Sequence, residues 1–290
     1  MSANPVSAAA SGTFSLGGDL PVNRLGYGTM RLTGPGIWGE PKDPEECRRV
    51  LRRAVELGVN FIDTADSYGP VVSERLIAEA LHPYPKGLVI ATKAGLTRQG
   101  PDKWAPVGRP EYLRQQLEMS LRLLRLERID LYQLHRIDPR VPMEESLGAM
   151  KDFQSEGKVR HIGLSEVSPN EIERARKMVN IVSVQNLYNF LDRHHEAALR
   201  YCEQNHMAFI PWFPVAAGRL AQPGGPFEEM ARRHGITPAQ LSIAWLLQRS
   251  PVMLPIPGTS SVAHLEENVA AAGIHIAPEE WNTLEKRKTA

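Results

Sequence analysis

Val59-Asn60-Phe61-Ile62-Asp63-Thr64-Ala65-Asp66-Ser67-Tyr68-Gly69 is the stretch whose reading decides the fold. A short apolar run, Val59 to Ile62, ends abruptly in polar residues, and Tyr68 stands on a Gly69-Pro70 turn before a helical pattern begins. This reads as a strand delivering side chains to a site at its end. For Asp63 and Tyr68 taken alone, a strand end capped by ordinary loop polars would look the same. What the other strand ends carry separates the two readings.

Working outward, the same unit recurs. Apolar runs rich in Val and Ile predict strands over Arg24 to Met30, Val59 to Thr64, Leu88 to Thr92, Ile129 to Leu134, Arg160 to Leu164, Ile181 to Gln185, Ala208 to Trp212 and Met253 to Ile256. Between them lie segments at helical spacing. The first is announced by Asp43-Pro44-Glu45-Glu46, which combines an N-cap acceptor, a proline at the first helical position and an early acid. The others span Ser73 to Leu81, Pro110 to Arg125, Glu144 to Glu156, Pro169 to Val179, Arg193 to Asn205, Phe227 to Arg249 in two parts, and Ser261 to Ala272. Strands apolar on both faces, alternating with helices, imply a parallel sheet covered by helices. Eight such units in 290 residues fit a (β/α)8 barrel better than an open doubly wound sheet, and no Gly-x-Gly-x-x-Gly follows the first strand. Phe14 to Val22, with its Gly17-Gly18-Asp19 turn, predicts an N-terminal β-hairpin. We expect one domain over residues 1–290, a disordered lead-in to about residue 13, and a short helical tail from Pro278 to Ala290.

Composition narrows the partners. The chain is 42% hydrophobic and carries 34 basic against 33 acidic residues, so no broad field favours nucleic acid or an anionic membrane. Met1 to Ser15 lacks the basic start and apolar core of a secretory signal. Met207 to Gly218, the most apolar later stretch, is short and is broken by Pro211 and Pro214. Cys47 and Cys202 fall in separate helices and suit buried packing, which makes a reducing, cytoplasmic setting the default.

A parallel barrel places its active site at the C-terminal ends of its strands. Those ends carry Asp63 with Tyr68, Lys93, His135, Ser165, Gln185, Trp212 and Pro257-Gly258. An ammonium at the end of a buried strand needs a partner, which Asp63 on the neighbouring strand can supply. An Asp, a Tyr, a Lys and a His on three consecutive strands suit proton delivery to a carbonyl oxygen. A lysine beside the phenol stabilises phenolate and should lower the tyrosine toward the working range, Asp63 keeps the lysine charged, and a neutral His135 can donate to the same oxygen. No nucleophile or metal ligand set accompanies them, so the electrons must come from a cofactor.

In these residues the chain resembles the aldo-keto reductase superfamily, from about Phe14 to Ala272. The resemblance rests on Asp63-Thr64-Ala65-Asp66-Ser67-Tyr68-Gly69, Lys93, Leu131-Tyr132-Gln133-Leu134-His135, Gly157-Lys158-Val159-Arg160-His161-Ile162-Gly163-Leu164-Ser165, Val184-Gln185-Asn186 and Ile256-Pro257-Gly258-Thr259-Ser260 with Glu267-Asn268. It implies a (β/α)8 fold and reversible hydride transfer from NADPH to aldehydes and ketones. Tyr68 would be the general acid, with Asp63, Lys93 and His135 as its supporting set. Ser165, Gln185 and Asp63 would hold the nicotinamide end, Trp212 would stack on its ring, and Phe213, Val215, Gly218 and Leu220 would lie over the pyrophosphate. Gly258, Thr259, Ser260, Ser261, His264, Glu267 and Asn268 match the adenosine end. Gly258 and His264 stand where many relatives place a lysine and an arginine on the 2′-phosphate. Backbone N–H groups at the Ser261 helix start, with Thr259 and Ser260, would then hold that phosphate, and NADPH is expected ahead of NADH.

Trp38, Trp104 and Arg136 lie on loops after strands, where rim packing and substrate contact compete. The segments Ile256 to Leu265 and Gly34 to Gly39 resemble the bacterial pyridoxal reductase-like branch, which implies a small aldehyde such as pyridoxal. His194-His195-Glu196 lacks the spacing of a metal-binding helix and reads as a solvated face. His161 should be satisfied internally, and Asp66 reads as a loop-shaping residue. Two other functions compete with a reductase. The first, a nucleotide-sensing interaction subunit, is opposed by the intact four residues. The second, a metal-dependent barrel hydrolase, would need His and Asp ligands that Leu25-Gly26-Tyr27-Gly28-Thr29-Met30 does not supply.

Overall fold

The computed structural model describes residues 6–215 and 227–288. It opens with a 3-10 turn over Ala8–Ser11, capped by the Ser7 hydroxyl, with Ala8 fully buried. The lead-in expected to about residue 13 is therefore ordered before that point, and residues 1–5 lie outside the described set. Strands β1 (Thr13–Leu16) and β2 (Leu20–Asn23) form the expected antiparallel hairpin. His161 is satisfied here, its Nε2 lying 2.6 Å from Asp19 in the hairpin turn.

Strands β3 (Tyr27–Gly28), β4 (Phe61–Asp63) and β5 (Val89–Ala94) come next, followed by an unexpected antiparallel hairpin, β6 (Leu96–Gly100) and β7 (Lys103–Pro106). Then come β8 (Ile129–Leu134), β9 (Val159–Ser165), β10 (Ile181–Leu187) and β11 (Ala208–Trp212). All but the two hairpins join one parallel sheet in the order β3-β4-β5-β8-β9-β10-β11. The eighth segment closes it. Leu254 N–H donates to the Phe209 carbonyl at 2.8 Å on one side, and Gly26 N–H donates to the Pro255 carbonyl at 3.0 Å on the other. Glycine is required at this seam. A Cβ on Gly28 would lie 2.7 Å from the Ile256 carbonyl oxygen, and one on Gly258 would lie 2.5 Å from that of Gly28. The result is the expected (β/α)8 barrel, with β3 shorter than the predicted Arg24 to Met30 because only Tyr27 and Gly28 pair with β4.

Ten helices are described: α1 (Pro44–Glu56), α2 (Val72–Leu81), α3 (Pro110–Leu124), α4 (Met143–Ser155), α5 (Pro169–Arg176), α6 (Glu196–Gln204), α7 (Glu228–His234), α8 (Pro238–Arg249), α9 (Val262–Ala270) and the tail α10 (Pro278–Lys288). Their starts follow capping chemistry. Asp43 accepts from Glu46 N–H, and Ser168 and Thr237 form reciprocal capping boxes with Glu171 and Gln240.

Strand periodicity divides the core into two layers. Phe61, Val89, Ala91, Leu131, Val182 and Ile210 point into the barrel, whose lower end Leu16, Leu20 and Val22 plug. Ile62, Ile90, Tyr132 and Val184 point outward against the helices. Continuing the inward face one step up each strand reaches Asp63, Lys93, Gln133 and Trp212, so the period of two that builds the barrel also aims most of the polar layer; on β10 the register shifts between Ile181 and Ser183, and the inward face passes from Val182 to Gln185. Among the described residues no helix is long and apolar enough to cross a membrane.

Candidate active site

Asp63, Lys93, Gln133 and Gln185 meet inside the upper barrel, all buried. Lys93 Nζ donates to Asp63 Oδ1 at 2.5 Å and to the Thr64 carbonyl at 2.7 Å. Asp63 Oδ2 accepts from Gln133 Nε2 at 3.0 Å and from Gln185 Nε2 at 2.8 Å. Burial works against the ammonium, but Asp63 and the Tyr68 phenol outweigh it and hold Lys93 above its usual value. Gln133 was missed in the sequence. It lies two residues before His135 on the same face of β8, so strand alternation points to it.

Tyr68 is held by a tight turn, with Gly69 at a φ of 93° and Ser73 N–H donating to the Tyr68 carbonyl at 3.2 Å. Lys93 Nζ lies 5.2 Å from the centre of the phenol ring. Burial pushes the phenol up, Lys93 pulls it down, and the net direction is upward. The expected lowering toward the working range is therefore not what the protein shows, because desolvation outweighs the lysine. At neutral pH Tyr68 keeps its proton. His135 packs edge-on to Tyr68 at 5.9 Å between ring centres. Burial, Lys93 and Arg136 hold it well below 6.5, so the ring is neutral as expected. Ser67 Oγ lies 3.4 Å from Nδ1. Were that hydroxyl to donate, the ring proton would sit on Nε2.

Asp63, Tyr68 and His135 line a cavity of about 600 Å3. Of the other sequence candidates, Ser165, Gln185, Trp212, Phe213, Val215 and Gly258 line it too, as do Trp104 and Arg136. Lys93 sits fully buried behind the wall, consistent with acting through Tyr68. Trp38 is not part of the lining. Its ring centre lies 5.6 Å from the Arg98 guanidinium, and that of Trp104 lies 3.6 Å from the same group. Arg98 donates to the carbonyls of Gly36, Ile37 and Ser67 at 2.6–3.0 Å, tying the β6–β7 hairpin to two loops of the rim. Neither Arg98 nor the lining residues Met30, Arg31, Ile37 and Leu96 were singled out in the sequence.

The cavity fits a nicotinamide. Ser165 Oγ accepts from Arg136 Nη1 at 3.0 Å, which leaves its own hydrogen to donate. Trp212 presents an aromatic wall fixed by its Nε1–H, which donates to Glu166 Oε1 at 2.7 Å. Burial opposes charge on Glu166, but His195, Trp212, Leu187 N–H and Arg136 hold the carboxyl at about 2. Thr259, Ser260, Ser261, His264, Glu267 and Asn268 lie beyond the lining, on the segment leading into α9 and along α9 itself. Glu267 accepts from the Thr237 hydroxyl at 2.6 Å, an α8–α9 contact. The α9 start is partly occupied by the chain itself, since Ser261 Oγ caps His264 N–H and Glu46 Oε1 accepts from Val262 N–H at 3.1 Å. Gly218 and Leu220 lie outside the described residues.

Asp66, read as loop-shaping, is buried, and neither carboxylate oxygen has a hydrogen-bond partner among the described residues. Glu74 on α2 is fully buried beside it in charge terms, with Oε1 accepting from the Thr92 hydroxyl at 2.6 Å and Oε2 unpaired.

Comparison with known proteins identifies the family. A model of the Aldo/keto reductase family matches residues 24–288. An uncharacterized oxidoreductase of Schizosaccharomyces pombe is 53% identical over 281 residues, covering 97% of this chain and 91% of that one. Pyridoxine 4-dehydrogenase of Escherichia coli is 43% identical over 282 residues, covering 95% of this chain and 98% of that one. An aldo/keto reductase from Klebsiella pneumoniae, solved in complex with NADP and acetate, superposes with a TM-score of 0.81 at 27% identity, covering 95% of both chains. The chain belongs to the aldo/keto reductase family and is an NAD(P)H-dependent oxidoreductase.

Proposed function

We propose that the protein reduces small aldehydes, pyridoxal among them, with NADPH as reductant and Tyr68 as proton donor. The observation that carries this reading is the convergence of Tyr68 and His135 on one cavity with the Lys93–Asp63 pair buried behind them. When bound, NADPH supplies a hydride to the carbonyl carbon. Ser165, Gln185 and Trp212 would hold its nicotinamide, Phe213 and Val215 its pyrophosphate, and Gly258 through Asn268 its adenosine end.

The residues of this chain manage the proton. Neutral His135 donates its Nε2 hydrogen to the substrate oxygen and orients it. As negative charge develops there, the Tyr68 hydroxyl hands over its proton, and Lys93 stabilises the phenolate left behind. Asp63, fixed by Gln133 and Gln185, keeps Lys93 charged in the barrel interior. A buried phenol held above 10 would be a poor acid toward water, yet it suits an alkoxide, which is far more basic.

Pyridoxal is favoured by the relationship to pyridoxine 4-dehydrogenase and by the cavity's chemistry. Trp104, Ile37 and Leu96 give apolar walls for a flat ring, while Arg31 and Arg136 can face an anionic ring oxygen. NADPH over NADH rests on the NADP-bound relative. The test is loss of reduced-nicotinamide absorbance with either cofactor against an aldehyde panel that includes pyridoxal. We expect turnover with pyridoxal, and a fall of at least ~100-fold in kcat for Tyr68→Phe with cofactor affinity retained. No turnover with any aldehyde would defeat the reading, and a fully active Tyr68→Phe would defeat the acid assignment.

A further inference from the structure

His194 and His195 acquire a third partner that is distant in sequence. The acid next to them, Glu196, is committed elsewhere, accepting from the Tyr188 hydroxyl at 2.5 Å and pairing with Arg249. Glu166, at the end of β9, takes its place. Ligand atoms of Glu166, His194 and His195 all lie within 4.8 Å of one another.

Three features make this more than a chance meeting. His195 Nε2 and Glu166 Oε2 are 3.4 Å apart, close to the ~3.3 Å edge of a tetrahedron built from bonds of about 2.0–2.1 Å. His194 Nδ1 lies 2.5 Å from Asp192 Oδ1. That is the carboxylate–imidazole pairing that orients metal-bound histidines, and it leaves Nε2 to bind. Glu166 adopts a left-handed φ of 56°, and its two oxygens divide their tasks. Oε1 accepts from Trp212 Nε1 and Leu187 N–H, while Oε2 faces His195. An ion on Oε2 would leave the Trp212 contact in place.

We propose that Glu166, His194 and His195 form a binding site for a divalent transition-metal ion of the zinc class, oriented by Asp192, whose occupancy braces Trp212 in the cavity wall. Two imidazoles and one carboxylate suit Zn(II), Co(II) or Ni(II) and leave room for water or a further ligand. Calcium and magnesium, which prefer oxygen-only shells, are disfavoured. His194 is exposed and the other two are half-buried, so an ion can enter without unfolding the barrel.

The experiment uses untagged full-length protein stripped with a chelator. Titration with Co(II), followed by its visible d–d absorption, should saturate at one equivalent, and Zn(II) should displace it. His194→Ala, a change at an exposed position, and His195→Ala should each weaken Co(II) binding by at least about tenfold, and Asp192→Asn by a similar factor. Zn(II) should alter tryptophan fluorescence in the parent protein but not in Trp212→Phe. Absence of saturable binding, or an affinity unchanged in both histidine variants, would overturn the proposal. A fluorescence change persisting in Trp212→Phe would overturn the bracing of Trp212. None of these readouts depends on turnover.

Discussion

Glu74→Gln isolates the energetic consequence of burying a carboxyl behind the site. In the native protein Glu74 is fully buried, with one oxygen bonded to the Thr92 hydroxyl, and burial pushes its carboxyl from 4.5 up to about 7. The folded state therefore holds a proton that the unfolded chain releases above about 4.5. Stability contributed by the neutral carboxyl is fully present below pH 4.5 and is lost as pH rises through about 7. At 1.36 kcal/mol per unit the loss amounts to about 3 kcal/mol. Glutamine keeps the shape and the Thr92 contact but does not ionise. Urea unfolding of both proteins between pH 5 and pH 8 should show the variant gaining about 3 kcal/mol relative to the parent across that range. Asp66, which burial and Glu74 push well above its usual value, adds a contribution of the same sign in the parent. Parallel stability profiles for the two proteins would refute the reasoning, because they would mean that Glu74 ionises equally in the folded and unfolded states.

Other perturbations address the site more directly. Lys93→Met strands Asp63 in the barrel interior, so we expect a loss of about 3–5 kcal/mol in unfolding free energy. It should also slow turnover by at least ~100-fold at temperatures where the variant is folded. Glu46→Gln removes a negative charge from the start of α9, and its KM for NADPH should fall about fivefold relative to that for NADH, the scale of one charge at a helix terminus. Equal changes for the two cofactors would place the 2′-phosphate elsewhere. Arg98→Ala releases three rim segments at once and should raise the KM for aldehyde by about tenfold, the equivalent of one hydrogen bond to a charged group, while leaving NADPH affinity unchanged.

The alternation of apolar runs and helical segments made the barrel legible, because each strand is short, apolar on both faces and bounded by turn residues. Ile129–Leu134 and Ala208–Trp212 fall within the residues that periodicity alone gives. The polar layer was legible at strand ends and illegible just below them. Gln133 reads as an ordinary polar residue until the sheet places it against Asp63. Glu166 and Arg98 were beyond reach for a common reason: each works through partners far along the chain, and no local period encodes such contacts; the β6–β7 hairpin pairs locally, but its strands are largely polar and carry no apolar run. The tyrosine's electrostatics were misjudged because a lysine's pull can be read from a motif, whereas the depth of burial that outweighs it cannot. The histidine pair could be weighed in the sequence only beside its neighbour Glu196, whereas the fold brings Glu166 next to it.

The seam of the barrel gives the cavity a second property. Gly28, Ile256 and Gly258 are at once the backbone that joins the first strand to the last segment and part of the cavity wall. A ligand seated there adjoins a place where the cylinder is shut by a few hydrogen bonds instead of a full ladder. The Gly26 amide, which bonds across that seam, is a natural reporter of whether the cylinder is latched.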